Sequence, residues 1–312
     1  EHPFDDVDVR FWDRSEEFEA WTGRLAATKP DCLIVHQHMP TAARLARRFA
    51  PLPVALVRHN FLKPPRHVFS AWRKRHQMRR LSGLAFVSEC VREVFEREWP
   101  GTGVPLFVTP NGIDPALWQP GDKERVIAFV GRLAPEKGVL EAAEALCKVL
   151  PRHPDWRGLF ILDAKTAEPR YAGRAMAAIA AAGHQVQLMT NQPHDAVRAA
   201  MARSAIVLAP TQNAEPFGRV AIEALSSGAA LVASRAGGFV EIAGEAGVLL
   251  DTPSAENIAH ALERLIAEPA RMAALGAAGR ERVSRRYDLT SAAAAFDAMV
   301  DRLTGGAAPA PS

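Results

Sequence analysis

Ten short apolar runs alternate with helix-period segments along the whole chain, and that rhythm restricts the fold more than any other feature. The runs fall at residues 32–35, 53–57, 84–87 and 106–108, then at 125–130, 159–162, 185–189, 205–208, 230–233 and 248–250. Helical patterns separate them, at 41–49, 139–149, 174–181, 219–227 and 255–267 among others. A short run that stays apolar instead of alternating with polar residues reads as a strand buried on both faces. Strand and helix in repetition predict parallel sheets covered by helices, an α/β fold. With 312 residues, the chain is long enough for two such domains. Pro115, Pro120 and Gly121 interrupt the rhythm, so the expected units are 1–118 and 119–288. An Ala-rich helix at 289–304 follows, and the Gly/Pro/Ala-rich residues 305–312 are expected to be disordered.

Composition excludes several classes. Hydrophobic residues make up 48% and charged residues 23%, enough apolar material for two cores. The net charge of +3 gives no reason to expect a nucleic-acid partner. Cys32, Cys90 and Cys147 are odd in number and far apart, without CxxC or Cys/His ligand spacing. That pattern fits a reducing compartment and no disulfide framework. No apolar run approaches the ~20 residues of a membrane span, and no signal peptide is visible. The expected location is cytoplasmic, with peripheral contact at the inner face of the membrane as an option.

The chemistry concentrates in two places. In the first, NAEPFGRVAIEALSSG, Glu215 and Glu223 stand eight positions apart, and Gly218 opens a helix-period run. This helix begins just past the strand at 205–208. Its free N–H groups therefore point into the crevice where open α/β sheets bind ligands, and they favour a diphosphate. Carboxylates there suit sugars, because each accepts hydrogen bonds from two neighbouring hydroxyls. The second place, RVIAFVGRLAPEKG, is a strand, a turn at Gly131, and two cations, Arg132 and Lys137, ahead of a helix. Arg grips phosphate oxygens bidentately and Lys adds a compact charge. Neither a P-loop nor a GxGxxG fingerprint is present.

Together these segments resemble the donor site of family 4 glycosyltransferases, which have the GT-B fold of two Rossmann-like domains facing a cleft and act with retention. The resemblance implies roles residue by residue. Arg132 and Lys137 would neutralise the departing diphosphate, helped by the N–H groups of Phe217 and Gly218. Glu223 would bind the ribose hydroxyls, and Glu215 hydroxyls of the transferred sugar. Gly131 and Arg219 belong to the same donor-binding set. The family reads the base in the loop Met189–Asn191, with Met189 and Thr190 in the donor-binding set. It uses no DxD-held metal and no other cofactor; its donor is a UDP- or GDP-linked sugar. One departure is Asp163-Ala164-Lys165, where family members often carry a glycine-rich turn.

The first half resembles the family more thinly. His59 follows a strand, and a His at that position faces the donor sugar, so it joins Glu215, Arg132 and Lys137 as a catalytic candidate. His36 and His38 stand at period two with no third ligand nearby, which fits a loop better than zinc. No Gly-Gly loop precedes Asp31, so the N-terminal domain is expected to be incomplete by one or more β/α units. Residues 63–80 carry seven Lys and Arg residues, with Phe69 and Trp72 interleaved. They read as a solvated basic helix or as one resting on an anionic membrane near a lipid-linked acceptor.

The expected activity is transfer of a hexose from a nucleotide-diphosphate sugar to a hydroxyl of a glycan or lipid-linked glycan, in cell-surface polysaccharide or lipopolysaccharide assembly. The alternative is a non-catalytic sugar-nucleotide-binding protein or subunit. A phosphorylase or epimerase on the same two-domain architecture is a third reading, with no lysine motif for pyridoxal phosphate to support it.

Overall fold

The structure, a computed structural model, describes residues 18–64 and 67–305. Its ten strands form two parallel sheets. The first contains β1 (Leu33–His36), β2 (Val54–Arg58), β3 (Gly83–Phe86) and β4 (Leu106–Val108), in that spatial order. Helices α1 (Phe18–Ala27), α2 (Met39–Arg48), α3 (Val68–Met78) and α4 (Glu89–Glu98) accompany it. The second sheet contains β5 (Glu124–Arg132), β6 (Arg157–Asp163), β7 (Val186–Thr190), β8 (Ser204–Ala209), β9 (Ala230–Ser234) and β10 (Gly247–Leu250). Between and after these strands run α5 (Val139–Val149), α6 (Pro169–Ala181), α7 (His194–Arg203), α8 (Arg219–Ser226), α9 (Gly238–Ala243), α10 (Ala255–Ala267), α11 (Pro269–Arg286) and α12 (Leu289–Thr304).

Strand order in the second sheet is β10-β9-β8-β5-β6-β7. The chain winds outward from β5 through β6 to β7, then returns to the other side of β5 and winds out again. β5 and β8 are therefore neighbours whose following loops diverge to opposite sides. That switch point opens a crevice at the carboxyl edge of the sheet. β8 and β9 are buried along their whole length, as continuous apolar runs covered on both faces should be. One face packs Ile127, Phe129, Leu146, Phe160 and Leu262 together. The other packs Ile222, Leu225, Leu231 and Phe239 in a core continuous with Leu56, Phe86 and Phe95 of the first sheet.

All ten expected strands are present, with ends shifted by a residue or two. The helix expected at 174–181 starts earlier, at Pro169. Glu168 caps it by accepting from the N–H groups of Arg170 and Tyr171 at 2.9 and 2.7 Å, and proline is suited to a first helical position. The Ala-rich terminal segment forms α12 and ends on Gly305, whose φ of 82° closes the helix. α12 does not stay with the second sheet. Met299, with Phe296, Val300 and Leu303, packs on Val57, Ala85 and Phe107 of the first. The expectation for 305–312 falls, beyond Gly305, outside the described residues, as does the start of the charged N-terminal segment. Among the described residues no helix is long and apolar enough to cross a membrane.

Candidate functional site

The cationic side of the site is built by the end of β5. Arg132 is the last strand residue, and a 3-10 turn, Pro135–Lys137, carries the chain to Gly138. Gly138 has φ 74°, and a Cβ there would lie 2.0 Å from the Pro210 carbonyl oxygen. Only glycine allows this turn to lie against the end of β8. Two hydrogen bonds fasten the contact: Gln212 N and Thr211 Oγ1 both donate to Glu136 O, at 2.8 and 2.7 Å. Arg132 Nη2 bonds Glu136 Oε1 at 2.8 Å, and Lys137 Nζ forms an ion pair with the Glu215 carboxylate.

The acidic side is built between β8 and α8. Glu215 pairs with Gly237 in an isolated parallel bridge, and Gly238 N donates to Glu215 O at 2.8 Å. A Cβ on Gly237 would sit 2.1 Å from that same oxygen. The loop then turns through Gly218, φ 95°, into α8 without a side-chain cap. The first N–H groups of a helix have no intrahelical partner, and here they open onto the cavity beside Arg219 and Val220. Glu223, one turn in, is only 9% exposed. Burial pushes its carboxyl up to about 7, against a downward pull from Arg219. Arg219 Nη2 lies 3.4 Å from Glu223 Oε1, and His194 Nε2 lies 3.9 Å from it.

These elements surround a cavity of about 870 Å³ at the switch point, completed by residues of the first domain. Of the residues singled out in the sequence, His59, Gly131, Arg132, Lys137, Glu215, Phe217, Gly218, Arg219 and Glu223 all line it. Met189 and Thr190 are not among the lining residues. Strand pairing runs through Thr190, opposite Leu162, with Met189 half-buried and Thr190 exposed. The chain reaches the cavity only at Asn191 and Gln192. Asn191 turns there with φ 53°, and its Oδ1 accepts from Ala164 N at 3.0 Å. Lys165, on the turn that replaces the expected glycine-rich one, also lines the cavity, as do Asn60, Asn111 and His194. His194 is held edge-on by the buried Trp118 ring, centroids 5.4 Å apart. Sequence reading named Lys165 only as part of a departure from the family, and passed over Asn60, Asn111 and His194 because no donor-site motif includes them.

His59 stands at the first-domain wall, just past β2. Its Nε2 lies 2.9 Å from Nδ1 of His36, at the end of β1. Burial lowers the pKa of both rings, and His36 and Arg58 lower that of His59 further. One ring donates and the other accepts across this contact, so the tautomers of His36 and His59 are coupled. The period-two pair thus separates: His36 turns to His59, while His38 Nδ1 meets Thr41 Oγ1 at 2.7 Å. The two domains touch beside the cavity. Ser88 Oγ donates to Pro216 O, and Glu89 N donates to Glu241 Oε2 at 2.9 Å. Chemically, the site offers cations and free N–H groups to a dianion, and carboxylates to adjacent hydroxyls.

Comparison with known proteins agrees with this geometry. The lipopolysaccharide core biosynthesis mannosyltransferase LpcC of Rhizobium leguminosarum bv. viciae is 26% identical over 275 residues, covering 83% of this chain and 78% of its own. A D-inositol 3-phosphate glycosyltransferase of Segniliparus rotundus is 33% identical over 189 residues, 56% of this chain and 42% of that protein. The crystal structure of Anabaena Alr3699/HepE in complex with UDP superimposes with a TM-score of 0.77 at 20% identity, over 92% of this chain and 82% of that one. That likeness shows the fold, the two-domain GT-B architecture. The sequence model for glycosyltransferase family 4 matches residues 9–117, and the model for glycosyl transferases group 1 matches residues 114–282. With more than half of its length matched by the second model alone, the chain belongs to the group 1 glycosyl transferases.

Proposed function

We propose that this chain transfers a hexose from a UDP- or GDP-linked donor to a hydroxyl acceptor with retention of anomeric configuration. The observation that carries the reading is the convergence of Arg132, Lys137, Glu215 and Glu223 on one cavity at the switch point. Arg132 and Lys137, with the α8 N-terminus, take up the negative charge that grows on the diphosphate as the glycosidic bond breaks. Glu223 accepts hydrogen bonds from the two ribose hydroxyls, and Glu215 from hydroxyls of the transferred sugar. His59 faces the sugar from the first-domain wall. The acceptor hydroxyl attacks from the face the diphosphate leaves, its oxygen bonding the anomeric carbon as the bond to the diphosphate breaks and its proton passing to the departing diphosphate, without an enzyme nucleophile. The cations and helix N-terminus supply the leaving-group stabilisation that a divalent ion supplies elsewhere, so the reaction proceeds without metal.

Two relatives support the donor and acceptor classes. The Anabaena protein was solved with UDP, and the Rhizobium mannosyltransferase is named for lipopolysaccharide core synthesis. A glycan or lipid-linked glycan is the acceptor class that fits, with the chain working at the cytoplasmic face of the membrane. The test combines calorimetric titration with UDP and GDP and proton NMR of the product formed from UDP-glucose or GDP-mannose. Binding of one nucleotide, lost in Glu223→Ala, with an α-linked product formed equally in EDTA, is expected. Absence of binding by either nucleotide would overturn the reading, and a β-linked product would overturn retention.

A further inference from the structure

The charge of the chain is distributed very unevenly. Between Asp31 and Glu89 lie eleven of its 38 Lys and Arg residues and none of its 35 Asp and Glu residues. The rest of the chain carries more carboxylates than cations, so the small net charge conceals a cationic region in the first domain. That region folds as β1, α2, β2, α3 and β3. Helices α2 and α3 pack against one another; Arg44, Arg47 and Arg73 are exposed on them, and Arg79 and Arg80 are exposed in the turn that ends α3. Among the described residues no carboxylate forms an ion pair with any cation of α3.

Helix α3 also wears its apolar residues on the wrong side for a core helix. Its inward positions are Ala71, Lys74, Arg75 and Met78, of which only Met78 is fully buried. Arg75 is tied to the domain through Pro100 O, at 2.7 Å. The large apolar side chains point outward instead. Val68, Phe69 and Trp72 are 85%, 71% and 58% exposed, the three highest values among the large hydrophobic residues described. Phe69 and Trp72 stack with centroids 5.8 Å apart, and Trp72 continues onto His76 at 5.7 Å. The result is one outward stripe of aliphatic and aromatic surface flanked by Arg73, Arg79 and Arg80.

Exposed aromatics flanked by cations that have no carboxylate partner among the described residues, with Arg80 Nη2 3.0 Å from His76 Nε2, match the interfacial layer of an anionic bilayer, where rings sit at headgroup depth and cations meet lipid phosphates. Cations and rings alone would also suit single-stranded nucleic acid. Val68, the most exposed of the three, offers no stacking face and favours hydrocarbon. We infer that the outward face of α3 docks the protein on an anionic phospholipid membrane, with Val68, Phe69 and Trp72 inserted and Arg73, Arg79 and Arg80 on the headgroups.

The topology gives this docking a direction. His59 and Asn60 line the cavity at the carboxyl end of β2, and α3 begins after the loop that follows them. Its first turn therefore lies at the cavity end of the first domain. Seven residues separate Asn60 from Val68, eight steps along the chain and a reach of at most ~29 Å. Resting on the transferase reading, this places a lipid-linked hydroxyl acceptor at the mouth of the same cavity. Docking itself does not depend on that reading.

Vesicle flotation tests it, using phosphatidylcholine alone and phosphatidylcholine mixed with phosphatidylglycerol. The full chain should float with the mixed vesicles and not with phosphatidylcholine. The pair Phe69→Ala/Trp72→Ala should lower the partition coefficient by about tenfold or more, and Arg73→Glu/Arg79→Glu should do the same. All four positions are exposed, so circular dichroism melts should match the parent chain and show the variants folded. Unchanged flotation of either folded variant would overturn the inference. So would tight binding of a single-stranded oligonucleotide with no flotation, which would move this face to nucleic acid. Flotation persisting in a chain that binds neither UDP nor GDP would uphold docking while removing the transferase reading.

Discussion

Lys137 and Glu215, 78 residues apart in sequence, form an ion pair across the floor of the cavity. The pair joins the two motifs and neutralises both charges in the donor-free site. A nucleoside diphosphate needs Lys137, and Glu215 competes for it. Glu215→Gln should therefore tighten UDP or GDP binding by roughly fivefold, while transfer falls because the amide accepts fewer bonds from the sugar hydroxyls. Lys137→Ala should weaken nucleotide binding by about 10- to 100-fold, as expected for loss of a charge-assisted bond to phosphate. Calorimetry on the two variants reads both effects. Equal weakening by both substitutions would show that the pair is structural and does not compete with donor.

Glu223 links function to stability. Its carboxyl, ordinarily near 4.5, is raised to about 7 by burial. Between these values the folded chain keeps a proton that the unfolded chain has released, so stability falls as pH rises through that window. The penalty is absent below about 4.5 and complete above about 7, reaching about 3 kcal/mol. Glu223→Gln should gain up to that amount in urea unfolding at pH 8 and almost nothing at pH 4. The same variant should bind nucleotide at least about tenfold more weakly, because the amide accepts fewer ribose bonds. A gain independent of pH would show that the buried charge is not its source.

The sheets were legible because buried parallel strands are written as unbroken apolar runs, such as those of β8 and β9. The core of the site was legible because Glu215, Gly218 and Glu223 share one short segment whose geometry a strand and a helix dictate. α11 left no such trace. Its buried positions are Gly276, Gly279 and Val283, and a Cβ on Gly276 would lie 2.3 Å from Gly228 O. A helix that approaches its neighbour through glycines shows no apolar period and reads as a broken segment. His194 was hidden for another reason: where β7 stops, and so where α7 begins, is decided by its pairing with β6. Nor does an Ala-rich α12 specify which sheet it will cover.

The contact between His36 and His59 makes the acid limb of activity a test of their coupling. Both rings are kept neutral by burial, and His36 depresses His59 directly. The limb should fall below the ordinary histidine range near 6.5, since two protonated rings repel. In His36→Ala that depression is lost, so the limb should move to higher pH. His36→Ala should also lower kcat more than it raises KM, because His36 acts only through His59. His59→Ala should abolish the limb. Profiles of kcat against pH for the three chains decide it, and an unmoved limb in His36→Ala would refute the coupling.

Gly218 carries the final prediction, because two separable costs oppose any side chain there. Its φ of 95° disfavours an L-residue, and a Cβ would lie 2.3 Å from Phe239 Cε1. The backbone cost is about 1–2 kcal/mol and the overpacking cost about 1–3 kcal/mol. Gly218→Ala should therefore destabilise the chain by about 2–5 kcal/mol in urea unfolding and displace the loop that holds Glu215. Phe239→Leu removes ring atoms from the clash but leaves the backbone strain in place. The double variant should then be more stable than the sum of the single changes by about 1 kcal/mol or more. Strict additivity would place the whole cost in the backbone, and the glycine would be required for the turn alone and not for the approach of the Phe239 ring.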